Sequence, residues 1–369
     1  MPIEVPRESS LLVEADRIMT ICNACRYCEG LCAVFPAMER RRVFDSADLD
    51  FLANLCHNCG ACLYDCQYAP PHQFNVGVPS TLAGLRAETW TQYAWPPKLG
   101  RVLGHSGPAT AALLIVSFLV MLVLVAVTGG SLSQPEPARG AFYAVLPHSA
   151  IVVTYLLVFG YGALALAMSI RNYWRAIGGG RPQIGEISRA LKSAHTLEYL
   201  DGGGVGCMNE DDTPNDNRRI YHHLTYYGFA LCLVATTLAA ILESAFGDIA
   251  PYPLWHPVVI FGVLGGIGLS AGPVGLLKAK VRRDPQLGDP GARTLEMTFL
   301  GLLMGMALTG FLTLVLRTTA AMPIVFIVHL GVVLTFAALM PYSKFVHGAY
   351  RLAALVHEHH EREAGTKGP

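Results

Sequence analysis

Cys22-Asn23-Ala24-Cys25-Arg26-Tyr27-Cys28-Glu29-Gly30-Leu31-Cys32 and Cys56-His57-Asn58-Cys59-Gly60-Ala61-Cys62-Leu63-Tyr64-Asp65-Cys66 repeat one cysteine spacing. In each run three thiolates recur at every third residue, which lets them converge on one iron-sulfur cube. Where two such runs occur, the fourth cysteine of each ligates the other cluster. By that rule Cys22, Cys25, Cys28 and Cys66 hold one 4Fe-4S cluster, while Cys56, Cys59, Cys62 and Cys32 hold a second close by. A disulfide framework leaves the tandem spacing unexplained. Structural zinc favours paired Cys-x-x-Cys hooks around a tetrahedral ion, not triplets with a trailing fourth ligand. The proline that commonly follows the fourth cysteine is absent: Ala33 and Gln67 stand there, with Pro36 and Pro70 soon after.

The rest of the chain has a membrane protein's composition. Of 369 residues only 15% are charged, against a usual quarter, 52% are hydrophobic, and the formal net charge is zero. No basic excess exists to neutralise phosphates, so nucleic acid is not expected as a partner. Eight of the ten cysteines belong to the two runs, which leaves Cys207 and Cys232 as no basis for a disulfide scaffold. The polar first residues, with Glu4, Arg7, Glu8 and Glu14, do not read as a secretory signal.

Residues 1–75 are expected to form the two-cluster domain, with Asp45-Ser46 capping a helix through Leu49, Phe51, Leu52 and Leu55 into Cys56. Residues 76–105 read as a linker whose Trp90, Tyr93 and Trp95 suit either a helix at the membrane interface or one packed on the cluster domain. The membrane domain, 106–350, carries six apolar stretches of about the 20 residues needed to cross hydrocarbon. They run approximately over 109–128, 147–170, 222–242, 257–277, 295–316 and 322–342, with a long loop at 171–221 and a tail at 351–369. Basic residues crowd the loop (Arg171, Arg175, Arg181, Arg189, Lys192, Arg218, Arg219), the segment after the fourth span (Lys278, Lys280, Arg282, Arg283, Arg293) and the C-terminal end (Lys344, Arg351, Arg362, Lys367). The three opposite loops offer only Arg139 and Arg317. The positive-inside rule then predicts a multi-pass protein of the cell inner membrane with both termini and the clusters cytoplasmic.

Ionisable residues at membrane depth are costly and usually functional. His329 lies early in the sixth span and His347 just past its end. At 3.6 residues per turn, 18 residues are five turns and about 27 Å, so one helix places both rings on the same side and could ligate two stacked haems. A depth-matched partner for each makes a bis-histidine haem b site, and one or two haems are expected. His148 pairs with His329 at the outer end, with His256 as a competitor. At the inner end His222 or His223 pairs with His347; adjacent helical residues point about 100° apart, so only one can ligate, and His223 is preferred.

Weaker signals read as structural. Gly202-Gly203-Gly204 lacks a preceding strand and is a turn rather than a phosphate cradle; Val205, Cys207 and acidic Glu210, Asp211 and Asp212 follow it. Cys207 and His195 make too few ligands for a metal site. Gly262-x-x-Gly265 and Gly301-x-x-x-Gly305 suggest close helix packing, and Arg40-Arg41-Arg42 a solvated helix face.

The whole pattern resembles the tricarballylate-utilisation protein B family, also called citrate-utilisation protein B. The residues that carry the likeness are the cysteine runs, Thr196-Leu197-Glu198-Tyr199-Leu200 with the three glycines, Arg218-Arg219-Ile220-Tyr221-His222-His223 with Tyr227-Gly228, and Pro341-Tyr342-Ser343-Lys344-Phe345-Val346-His347. The cluster part is similar to the alpha-helical ferredoxin of succinate dehydrogenase, and the last span to haem b respiratory subunits. An all-α fold is therefore expected: a two-cluster, ferredoxin-like domain before a six-helix transmembrane bundle. The resemblance implies a cytoplasmic FAD-dependent dehydrogenase of tricarballylate, or a related tricarboxylate, as electron donor.

The expected function is electron transfer in the lipid bilayer, from the partner's reduced flavin through two clusters and haem b to membrane quinone. The cysteines and histidines are then ligands, and no catalytic acid, base or nucleophile is expected. The competing class is a membrane-anchored iron-sulfur redox sensor that reduces no quinone. A transporter is disfavoured, because only Glu243 and Glu296, near span ends, put a carboxylate in the spans.

Overall fold

The computed structural model describes residues 9–104, 107–133, 140–204, 206–208 and 213–365, and the described residues contain helices and no strand. Glu4, Arg7, Glu8, Arg139, Val205, Glu210, Asp211, Asp212 and Lys367, used above, lie outside them. The fold is all-α.

Five helices carry the cysteine runs: α1 (Ser10–Cys25), α2 (Val34–Glu39), α3 (Ser46–Leu55), α4 (Ala61–Tyr64) and α5 (Val78–Gln92). Asp45 caps α3, its Oδ1 accepting from the Asp48 N–H at 2.7 Å while Asp48 Oδ2 accepts from the Asp45 N–H at 3.4 Å. This reciprocal box satisfies two donors that a helix start leaves over. Cys25 and Cys56 stand at helix ends, so the backbone leaves its regular course where ligands must converge. Val78, Leu82 and Leu85 bury α5 against α1 and α3. The interfacial-helix alternative for residues 76–105 is thereby corrected: α5 is part of the cluster-domain core, because its apolar face is already covered by protein. The short α6 (Pro97–Leu103) then leads toward the membrane.

Six helices are long and apolar enough to cross a membrane, and the protein is a multi-pass membrane protein. They are α7 (Gly107–Val127), α9 (His148–Ala176) after the short α8 (Ala141–Val145), α11 (Asn217–Phe246) after α10 (Ile184–Thr196), α12 (Pro257–Val281), α13 (Pro290–Leu316) and α14 (Met322–Leu339), whose span continues through a 3-10 turn to Tyr342. The closest pair is α11 with α12. A Cβ on Gly228 would stand 2.7 Å from the Leu269 backbone nitrogen, and one on Gly265 would stand 2.8 Å from the Gly228 carbonyl oxygen. Small residues here let two backbones touch, as expected in lipid. The Gly301 and Gly305 pair does no such thing: Gly301 has open space and Gly305 an ordinary contact.

The sixth span breaks before His347. Leu339 ends α14, two 3-10 turns follow at Met340–Tyr342 and Lys344–Val346, and α15 (His347–Ala364) begins there. Pro341 lies in the first turn, where it removes a backbone N–H from the α ladder and its ring crowds the preceding turn, which favours the break. His329 and His347 therefore belong to different helices, which corrects the continuous-helix premise. The expected tail at 351–369 is chiefly α15, which packs on α3, α9 and α10. Tyr350, Ala354 and Leu355 are fully buried in one core with Phe51, Leu52 and Leu82.

Candidate metal and electron-transfer site

The fold sorts the eight cysteines into two groups. Cys22, Cys25, Cys28 and Cys66 line one cavity of about 240 Å3, together with Tyr27 and Asp65. Cys32, Cys56, Cys59 and Cys62 line a second, narrower one of about 20 Å3, with Tyr199 on its wall. In each group three cysteines come from one run and the fourth from the other, the exchange expected of cysteine runs that share two cubes. Phe35, at the start of α2, lines both cavities, so the two sites share one side chain's thickness of wall. Among the described residues no group of three or more His, Cys, Asp or Glu closes around a single ion.

The buried sulfurs suit a positively charged metal centre. Burial, and then the neighbouring Cys28 and Cys66, push the Cys22 thiol up to about 12. Burial, with Cys66 and Asp65 behind it, does the same to Cys28, also to about 12. Cys59 rises to about 11, mostly by burial, and burial drives Cys32 and Cys62 upward too. Thiols gathered in this way ionise only against compensating positive charge, which metal supplies.

The loop between the second and third spans closes the second cavity. Its three glycines form a left-handed turn, as read from the sequence. Met208 N–H donates to the Cys59 carbonyl at 2.9 Å, and Cys207 forms an isolated bridge with Asn215. At Gly206 φ is +104°, and a Cβ would stand 2.8 Å from the Asn215 backbone, so only glycine fits. Cys207 is buried beside Cys59, Ala61, Leu197 and Leu200, a structural role. The motif was visible in the sequence; its position over the cluster site was not.

Beneath the second cavity lies a histidine pair. The rings of His222 and His347 are 6.0 Å apart between centroids and nearly perpendicular. His347 Nδ1–H donates to the Lys344 carbonyl at 2.5 Å, which fixes the tautomer and leaves Nε2 as the free ligand atom. His222 Nδ1 is buried without a hydrogen-bond partner. His222 and His347 are therefore the residues that would hold a haem at the inner end. His223 turns the other way: its Nε2 bonds the His195 carbonyl at 3.1 Å, and its ring packs on Tyr227. His222, not the preferred His223, is the ring that faces His347.

The outer histidines are engaged locally. His329 Nδ1 shares a hydrogen bond of 2.9 Å with Thr309 Oγ1, and its ring lies 3.3 Å from where a Gly310 Cβ would stand. His148 packs edge-on to Tyr143 at 5.2 Å. Among the described residues no ring contact joins His148 to His329. His256 caps α12 through Nδ1, stacks on Tyr252 at 4.4 Å and pairs with Asp248 at 3.5 Å.

One turn past His347, Arg351 Nη2–H donates to the Cys56 carbonyl at 2.8 Å. Four residues of helix advance about 6 Å, so the inner histidine pair sits within a short step of a ligand of the second cavity. Arg40 and Arg41 are not solvated: Arg40 pairs with Glu358 and Glu361, and Arg41 with Asp48 and Glu361, while Arg42 is exposed. Sequence spacing contains no signal for these joins, which span some 300 residues.

The family described as Citrate utilization protein B matches residues 105–368, and its Fer4-like domain matches residues 15–92. A curated relative from Escherichia coli, described as Citrate utilization protein B, is 43% identical over 360 residues, covering 96% of this chain and 95% of the relative. No solved structure matches.

Proposed function

This chain belongs to the citrate utilization protein B family, and we propose that it carries electrons from a cytoplasmic FAD-dependent dehydrogenase of tricarballylate or a related tricarboxylate to membrane quinone. The relative's name, which places that protein in citrate utilisation, supports the substrate class. When bound, two 4Fe-4S clusters and haem b supply one-electron chemistry that splits the two-electron flavin couple.

The observation that carries the reading is the line of ligands through the fold. Cys25 is exposed on the first cavity, Phe35 separates that cavity from the second, and Arg351 joins the second to the helix that begins with His347. A sensor needs one responsive centre and a conduit several within short steps, and the adjoining ligand sets support the conduit reading. The eight cysteines would hold the clusters, His222 and His347 would hold the haem, and the span helices present apolar surface to lipid. The basic ends of these helices support cytoplasmic termini in the inner membrane.

The test uses anaerobically purified full-length protein. Flavoprotein with its tricarboxylate substrate should reduce clusters and haem, and added quinone should reoxidise both. Clusters that reduce while haem and quinone stay untouched would favour the sensor.

A further inference from the structure

Four arginines from four different parts of the chain converge on three consecutive carbonyls of the second cysteine run. Arg86, on α5, donates from Nη1 to the Cys56 carbonyl at 2.6 Å and to Ala53 at 3.3 Å. Arg351, on α15, reaches the same Cys56 carbonyl at 2.8 Å. Arg218, on α11, donates to the Asn58 carbonyl at 2.5 Å and to His57 at 3.4 Å. Arg283, just beyond α12, donates to the Asn58 carbonyl at 3.0 Å. Asn58 itself holds a left-handed φ of 59°, which turns its carbonyl toward these donors.

Arg218, Arg283 and Arg351 belong to the basic segments at span ends, which ordinarily face water or headgroups as topology signals. These point inward, into the joint between cluster domain and membrane domain. Arg86 is only 8% exposed, and Arg351 Nε is buried without a partner. Among the described residues no carboxylate makes an ion pair with any of the four. Burial, with the mutual repulsion of the group, lowers the pKa of Arg86, Arg283 and Arg351, yet a guanidinium stays charged in proteins. Buried charge persists where something of opposite sign compensates it. Backbone carbonyls offer dipoles, not charge.

We infer that the compensating anion is the thiolate-ligated cluster of Cys32, Cys56, Cys59 and Cys62, and that the four arginines make this the higher-potential cluster of the two. The assignment rests on the two-cluster reading proposed above. Reduction adds one negative charge to a centre that already carries four thiolates, so fixed cations beside it favour the reduced form. Burial opposes that added charge, but the same low dielectric strengthens each of four cations. Among the described residues the other cavity has no such buried cations at its ligands' carbonyls: Asp65 lines it, and both Asp65 and the nearby Arg26, which donates to the Asn23 carbonyl, are exposed, where water and salt screen them. Electrons therefore enter at the Cys22, Cys25, Cys28 and Cys66 cluster and fall to the one beside His222 and His347, which makes transfer toward the membrane downhill.

The experiment is an EPR-monitored redox titration of the full-length, cluster-loaded protein. Asp65→Asn should ease reduction of one cluster, identifying it as the first, and in the wild type that cluster should be the lower-potential one. Arg86→Gln and Arg283→Gln should each disfavour reduction of the other cluster about tenfold, or about 59 mV for one electron. Arg86→Lys and Arg283→Lys, which keep the charge, should restore most of the shift. If the glutamine variants do not load, the wild-type order against Asp65→Asn still decides. An Asp65-responsive cluster of higher potential, or arginine variants that move both clusters equally or neither, overturns the inference. A wild-type protein lacking two cubane signals would instead overturn the two-cluster reading.

Discussion

His222 and His223 differ in sequence by one position and in the structure by nearly everything around the ring. Adjacent helical residues diverge by about 100°, so the turn of α11 that brings His222 to His347 carries His223 out to His195 and Tyr227. His222→Ala and His347→Ala should each abolish inner haem, read as a pyridine haemochrome count on purified protein, while His223→Ala retains it. Glu361 makes a second residue-scale prediction. Burial would raise its carboxyl, but hydrogen bonds and charge from His357 and Arg41 outweigh this and hold it down at about 2. A carboxylate depressed in the fold stabilises it fully above its unfolded value of about 4.5, and the contribution is lost as pH falls from there toward 2. Thermal unfolding should therefore lose stability across that window, and Glu361→Gln should flatten this part of the profile. Arg41→Ala removes a partner of both Asp48 and Glu361 while Arg40 and His357 still hold Glu361, and should cost about 1 kcal/mol, checked by denaturant unfolding.

At the scale of the element, α15 is where expectation and structure part most. Its sequence, rich in His and Glu at the chain's end, reads as a polar tail, yet one face bears Tyr350, Ala354 and Leu355 at full burial beside Phe51 and Leu52. Ending the chain after Val346 should thus destabilise the cluster domain and leave both sets of cysteines poorly loaded, as iron and acid-labile sulfide per protein would show. The seam between α11 and α12 gives a second expectation. Gly272→Leu would put side-chain atoms where a Cβ already stands 2.4 Å from Thr225 Oγ1. It should separate the helices and shift His222, lowering haem content while the iron of the clusters stays near wild type. Gly301→Leu, in open space, should leave both unchanged.

For the whole molecule, cluster domain and membrane bundle are joined by contacts far apart in sequence rather than by a flexible tether. Trp95 N–H donates to Ser169 Oγ at 2.9 Å, Tyr342 Oη–H to the Trp95 carbonyl at 3.2 Å, and Asn172 Nδ2–H to the Tyr93 carbonyl at 3.4 Å. Arg86, Arg218, Arg283 and Arg351 add the buried joint beneath Cys56. Reporter fusions at either terminus should report the cytoplasm, and a periplasmic signal from either would refute the orientation.

The membrane class and the six spans were legible because hydrocarbon thickness sets helix length and lipid demands apolar side chains, both local properties of a 20-residue window. The cysteine triplets were legible as ligand sets for a similar reason, since spacing on a short run is a local constraint, whereas the exchange of Cys32 and Cys66 between runs came only from the general rule for paired runs. The break before His347 was half legible: Pro341 stood in plain view, but the pull of a 3.6-residue period hid it. What no window contained was which histidine faces which, why α5 leaves the lipid surface for the cluster domain, and that three basic residues of the span ends, Arg218, Arg283 and Arg351, turn inward beside Arg86. Those depend on how separate helices pack. Packing is decided by shape and charge over contacts hundreds of residues apart, so only the assembled fold carries it.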